Sequence, residues 1–573
     1  MPHSNFYLPK IYMTKRIIIL LSAATLACAC AFADIRFKNI YQDHMVLQAG
    51  EENIIAGRTD APAEKVQIRY KAVLKNGKIE EKTLKEVKSN KNCRWFAKLP
   101  AFPKRTVLEI EASADGKSAK IQDVITGELW IGAGQSNMHW HFRDSPVEKE
   151  FLQKCQEDAD SLKGDIRIIR PEGFVLPEPI DEVCGQWRII EGKTLKEHDV
   201  SQVCYLFASK ISKALDTPVG FINSSWGGTR IEPWIPRSAF AKSAECKELY
   251  EELTQNTEKY SQMREDFIKN YPKWIEQNPT HELQNKNFSS RPQMVPKDVL
   301  TSTELPGSIY NAMIHGIAPL SPVGVLWYQG ESNADRPYYY GELQKLLVKS
   351  WRKHFKRDFY FYYVELAAYM DTQRDPVQLH SWGGIRETQA EVLELPKTGV
   401  ACSIDNGGSI AMGQGDIHPP HKEAVSTRLA NMALAQMYKK GNPSHAISPA
   451  YKSMKIEGNK IVIELSHAEG LKLAPLPSLN TSKAEKLPLP EKITGFAIRG
   501  ENPRGWKWAD VEIKGNKLIV SSAEVAEPKA VRYAWAYWPL ACLKNKYGLP
   551  LRPFSTDNGA YSDYNRTKNT DKK

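Results

Sequence analysis

The sequence has no block of five or six like charges, no C-x-x-C or other metal-ligand spacing of cysteines, and no internal repeat. The first absence argues against a nucleic-acid arm. The formal charge of +11 over 573 residues is spread among interspersed basic and acidic side chains, so attraction to anionic surfaces is weak. The second absence leaves zinc without a ligand pattern. Long apolar runs are also scarce. The strongest, Ile17 to Ala27, is too short to span a bilayer comfortably. Lys15 and Arg16 precede it and Ala31-Phe32-Ala33 follows, which is the layout of a secretory signal peptide over residues 1–33. Export to a periplasm or the medium is therefore expected. Translation from Met13 and lipidation at Cys28 or Cys30 are alternatives, although Thr25-Leu26-Ala27 is a poor lipobox. Seven cysteines remain after cleavage, an odd number, and most are expected as small buried hydrophobes. Cys155 with Cys184 is a conceivable bridge.

What is present is an ordinary globular composition, 42% hydrophobic and 25% charged, at a length that calls for two or three domains. The 14 Trp and 24 Tyr suit either a carbohydrate cleft or a plain core, and core is the commoner use. Residues 34–125 alternate apolar and polar, as in Val66-Gln67-Ile68-Arg69-Tyr70, with turn signals such as Asn76-Gly77 between runs. They read as an N-terminal β module. From 126 to 440, short apolar strands alternate with helical stretches, which argues for an α/β region with a parallel sheet. A polar, helix-rich insertion is expected at about 236–299. Alternating runs return over 443–559 as a C-terminal β-rich module, and 560–573 is a polar tail.

Four segments of the α/β region follow strand ends, where such sheets gather their chemistry. Leu129 to Ala133 runs into Gly134-Gln135-Ser136-Asn137-Met138, which puts a hydroxyl before a helix start. Its bland reading is a helix N-cap. Asn223-Ser224-Ser225-Trp226-Gly227-Gly228-Thr229-Arg230 offers exposed glycine N–H groups, or merely a turn. Trp327-Tyr328-Gln329-Gly330-Glu331-Ser332-Asn333 delivers amides and a carboxylate. Gly415-Asp416-Ile417-His418-Pro419 holds an imidazole with a carboxylate two residues earlier, or just a polar loop. Together they supply a nucleophile, oxyanion donors and a base, since a serine hydroxyl needs a neighbouring base to react. A nucleophile elbow of the G-x-S-x-G kind is absent at Ser136.

These blocks resemble those of the sialate O-acetylesterases, members of the SGNH hydrolase superfamily related to certain acetylxylan esterases. His44-Met45-Val46-Leu47-Gln48, Val531-Arg532-Tyr533-Ala534-Trp535-Ala536 and Tyr547-Gly548-Leu549-Pro550-Leu551-Arg552-Pro553-Phe554 extend the resemblance over nearly the whole mature chain. It implies an SGNH-type parallel sheet flanked by helices, with β-sandwich-like modules at both ends. It further implies Ser136 as nucleophile, His418 as general base, and an oxyanion hole from the N–H groups of Ser136 and Gly228 (or Gly227) with an amide, Gln329 before Asn333. No cofactor or metal is called for. The triad acid departs from the pattern: relatives often place Asp three residues before the His, whereas Asp416 is two before. A backbone carbonyl or Asp405 could hold the imidazole instead. His421 stands where relatives commonly show Asn. Arg230 could meet a sialate carboxylate, with a structural salt bridge as its commoner role. The expected substrate is an O-acetylated sialic acid. Acetylxylan or another plant glycan is the rival, and a non-catalytic carbohydrate-binding protein the reading from another class.

Overall fold

The alternating stretch that begins at Lys117 continues where its composition changes. In the computed structural model it is one strand of 18 residues, β1 (Lys117–Gly134). Its first half pairs antiparallel with Val107–Ala114, and its middle, Ile125 to Gly127, pairs in parallel with Val46–Gln48. Burial alternates in the first half and becomes nearly continuous in the second. That change marks the passage from a half-buried antiparallel sheet to a parallel sheet covered on both faces. The expected boundary at 125 and 126 thus falls inside a strand, and the two modules share a sheet. The structure describes residues 35–143, 145, 147–173, 175–254, 265–266, 269, 305–370, 372–377, 381–407, 417–419, 421–475 and 489–557. The expected signal segment 1–33, most of the expected insertion beyond 254, the expected tail 560–573 and Asp416 lie outside the described residues.

The central sheet continues through β2 (Ile166–Ile169), β3 (Trp187–Ile189), β4 (Val219–Ser225), β5 (Gly324–Tyr328), β6 (Tyr360–Val364) and β7 (Thr398–Ala401). Its order is β3-β2-β4-β1-β5-β6-β7, with β3 antiparallel to β2 and every other pairing parallel. The chain therefore builds one side of β1 first and then crosses to the other. A crevice opens outside the carboxyl ends at such a reversal, here between β4 and β5 on either side of β1.

Successive residues along these strands are buried on opposite faces. Trp130, Phe221, Leu326 and Tyr362 join one core with Val203, Phe207, Val425 and Leu429. Ile131, Ile222, Val325 and Phe361 join another with Leu343, Leu347, Trp351 and Ile385. The first face is covered by α2 (Gln202–Leu215) and α5 (Glu423–Met432), and the second by α3 (Pro337–Phe355) and α4 (Ser381–Gln389). Local chemistry sets their ends. Ser201 caps α2 by accepting from the Cys204 N–H, and Pro337 opens α3, where its missing N–H costs nothing.

The N-terminal module adds a three-stranded sheet of Arg36–Phe37, Asn53–Arg58 and Arg94–Leu99. The C-terminal region forms two four-stranded antiparallel sheets and a short pair, packed around a core that takes in Cys402 and Ile404 just past β7. The first part of the expected insertion is helical, at Arg237–Phe240 and Lys247–Thr254. No helix among the described residues is long and apolar enough to cross a membrane.

Candidate active site

Three motif segments leave the carboxyl ends of the neighbouring strands β4, β1 and β5, and His418 of the fourth, which comes after β7 in the chain, meets them at Ser136. Gly134 ends β1 with φ +133°, and a Cβ there would lie 2.2 Å from the Tyr328 carbonyl oxygen of β5. Glycine is what lets the two strand ends close up and turn the chain into the short helix Ser136–His139, α1. Gln135 stays buried, its Oε1 accepting from Gln329 Nε2 at 3.1 Å and from the Ser332 N–H at 3.2 Å. The first and third segments are locked together by that amide. Ser136 comes next, half-buried.

Ser136 Oγ lies 2.8 Å from His418 Nε2. A hydroxyl at that distance donates into the imidazole lone pair, the geometry required for general-base removal of its proton. The ring of Trp140 stacks on His418, centroids 4.8 Å apart and planes at 15°. A second imidazole, His139, lies three residues past the serine but belongs to other partners. Its Nδ1 faces the Ser225 carbonyl at 3.3 Å, and Nε2 meets Arg170 Nη2 at 3.2 Å. A carbonyl only accepts and a guanidinium only donates, so the proton is on Nδ1. Burial, aided by Arg170 and His141, holds His139 down to about 3, and it stays neutral.

The β4 loop supplies donors. Gly227 and Gly228 are exposed, and a Cβ on Gly227 would sit 3.5 Å from Ser136 Cβ. Gly228 turns the chain at φ +73°. Among the described residues the N–H groups of Ser136, Gly227 and Gly228 meet no backbone acceptor. Thr229 beneath them is fixed by its hydroxyl to the Trp226 carbonyl and by Trp234 Nε1.

The amides of the third segment are placed differently from the expectation. Gln329 and Asn333 are wholly buried. Gln329 Nε2 donates toward Gln135 Oε1, the Thr229 carbonyl and Asn333 Oδ1, while Asn333 Nδ2 donates to Glu232 Oε2. Asn333 Oδ1 also receives the Ile231 N–H. Both side chains bond to the residues that follow the glycine loop, at Thr229, Ile231 and Glu232. Burial pushes the Glu232 carboxyl up, Asn333 partly opposing it.

Glu331 is buried too, and burial raises its carboxyl despite the 2.6 Å bond that its Oε1 accepts from Asn137 Nδ2. Asp405, the alternative acid, accepts from both Arg428 terminal nitrogens at 2.7 Å and from Lys544 Nζ at 2.7 Å. Burial alone would raise it, but the two cations hold it well below the ordinary range. It ties α5 to the C-terminal sheets and is spoken for. Arg230 makes a bidentate pair with Asp335 at 2.8 and 3.1 Å on the rim. His421, beside the base, faces Glu148 at 3.3 Å. No group of three or more His, Cys, Asp or Glu able to hold a metal occurs among the described residues.

Sequence reasoning missed Trp140, Asn137 and Lys422. Asn137 lies inside the first motif without a role of its own there, Trp140 stands four residues after Ser136 and Lys422 four after His418, so position in or near the motifs was the signal.

No protein-family model matches the chain. It is similar to the sialate O-acetylesterase of Mus musculus, 26% identical over 556 residues that cover 91% of this chain and 94% of that one. The Homo sapiens sialate O-acetylesterase is 22% identical over 536 residues, covering 88% of each. Among solved structures, a carbohydrate acetylesterase from Xanthomonas citri is similar with a TM-score of 0.69 at 25% identity, covering 92% of this chain and 100% of that one. The resemblance read from the motifs, and the expectation of an esterase, are borne out.

Proposed function

We propose that the chain is an exported serine esterase of the SGNH type that removes acetyl groups from O-acetylated carbohydrate, with O-acetylated sialic acid as its substrate. The observation that carries this reading is the 2.8 Å contact between Ser136 Oγ and His418 Nε2 at the mouth of the sheet. His418 takes the hydroxyl proton as Oγ attacks the acetyl carbonyl. The oxyanion that forms is met by the N–H groups of Ser136 and of Gly228 or its neighbour Gly227, each such donor being worth roughly 10²–10³ in rate. The tetrahedral adduct then collapses, the C–O bond to the sugar breaks, and His418 returns its proton to the leaving alkoxide. A water deprotonated by the same imidazole cleaves the acetyl-serine and releases acetate. Asp416 is assigned to orient His418, because Asp405 is committed to Arg428 and Lys544. Full-length similarity to proteins named sialate O-acetylesterase supports the substrate assignment.

A second reading, a neutral acetylated glycan such as acetylxylan, is favoured by one observation. Arg230, the cation just past the glycine loop, already pairs with Asp335. Acetate release from O-acetylated mucin sialic acids and from acetylxylan, measured side by side, decides between them. A preference of tenfold or more for the mucin supports sialate, and the reverse preference assigns the neutral glycan.

A further inference from the structure

Among the described residues of the loop that carries His418, three carbonyls are gripped by side chains. Asn137 Nδ2 donates to the Ile417 carbonyl at 2.9 Å, Lys422 Nζ to the Pro419 carbonyl at 2.6 Å, and Asn406 Nδ2 to the His421 carbonyl at 3.1 Å. The first two flank His418 directly, and they are joined, because Lys422 Nζ also donates to Asn137 Oδ1. Asn137 in turn follows Ser136 in the chain. We infer that Lys422 is a positioning residue for the Ser136–His418 pair, acting with Asn137 by fixing the backbone on both sides of the histidine. The inference rests on the serine mechanism proposed above.

The chemistry of each partner supports this assignment. Asn137 Nδ2 faces only acceptors, the Ile417 carbonyl and Glu331 Oε1, and its Oδ1 faces an ammonium, so the amide has one permitted orientation. A carboxylate, an amide and an ammonium thus lie in series beneath the reacting pair. Lys422 is wholly buried, a placement that desolvates a charge and is rare for lysine. It is compensated by oxygen acceptors and by the ring faces of Trp140 and Tyr328 at 5.7 and 5.6 Å. An apolar side chain would fill such a site at less cost in desolvation. What it would lack is the pair of directed donors that ties the base's loop to the nucleophile's helix. A misplacement of about 1 Å between reacting groups reduces rate by up to about 10²-fold.

The test is a double-mutant cycle on the full chain with 4-nitrophenyl acetate as probe, following kcat, KM and thermal unfolding. Lys422→Met is expected to lower kcat by about 30- to 100-fold with KM within about twofold of wild type, and Lys422→Gln, which keeps an amide donor, to recover part of the loss. In a His418→Ala background, Lys422→Met should have no further effect, because the residue acts only through that histidine. An equal loss in both backgrounds, or a kcat within about threefold of wild type, overturns the inference. Should Lys422→Met fail to fold, the same cycle with Asn137→Ala applies the same criterion. A Ser136→Ala control separates the two levels. Full activity in that control removes the serine mechanism and this inference together, whereas an inactive control beside a fully active Lys422→Met removes only the inference.

Discussion

Trp140 lies flat against the imidazole of His418, ring centroids 4.8 Å apart and planes inclined by 15°. The indole is held by its own N–H, which donates to Ser145 Oγ at 3.0 Å. An aromatic face next to an imidazole that gains a proton stabilises the resulting cation by about 0.5–2 kcal/mol. Trp140→Ala should therefore lower kcat for acetate release by roughly 2- to 30-fold, and Trp140→Phe by less. Steady-state kinetics on a small acetyl ester check both values.

The two glycines that shape the site predict opposite kinds of damage. A Cβ on Gly134 would lie 2.2 Å from a β5 carbonyl, so Gly134→Ala should lower stability by more than about 3 kcal/mol in urea unfolding. Gly228 has open space around its Cβ position but a left-handed backbone, so Gly228→Ala should cost only about 1 kcal/mol. Its effect should appear in kcat, through a displaced N–H.

Asp405 and Asp416 separate stability from catalysis. The folded pKa of Asp405 is depressed, so its contribution is complete above the unfolded value of about 3.9 and is lost as pH falls through the folded value. Asp405→Asn should cost about 3–5 kcal/mol at pH 7, because it strands the buried Arg428, and the gap to wild type should narrow below about pH 4. Denaturant titrations across that range test the sign. In activity assays at a temperature where both variants are folded, Asp416→Ala should lose far more than Asp405→Ala. The reverse ranking would reassign the acid.

Arg230 reports on the substrate. Its pair with Asp335 is largely exposed on the acid side, and such pairs contribute about 0–1 kcal/mol, so Arg230→Ala should leave Tm nearly unchanged. If the guanidinium meets a sialate carboxylate, KM for O-acetylated sialic acid should rise about 10-fold or more while acetylxylan kinetics stay constant. Equal kinetics on both substrates would favour the neutral glycan.

Much of this was readable in the sequence because strand ends announce themselves. Leu129 to Ala133 and Val219 to Ile222 are apolar runs that stop at glycine or polar residues, and each strand end delivered its motif to one edge of the sheet. Side-chain direction past a strand end was not readable. Gln329 looks like a donor in a list of motifs, yet Gln135, Thr229 and Asn333 all compete for its N–H groups once β1, β4 and β5 are adjacent. β1 was cut in two for a related reason. Its pattern changes from alternating to continuous because its neighbours change, and composition reads that as a boundary. Lys422 was invisible since a lysine after a loop normally points to water.

The central claim is that Ser136 carries the acetyl group. Wild type and Ser136→Ala should be compared for acetate released from one O-acetylated glycan, at matched concentration and with matching unfolding curves. The account predicts release by wild type and a loss on the order of 10⁵- to 10⁶-fold in the variant. Equal release by the two proteins would contradict it.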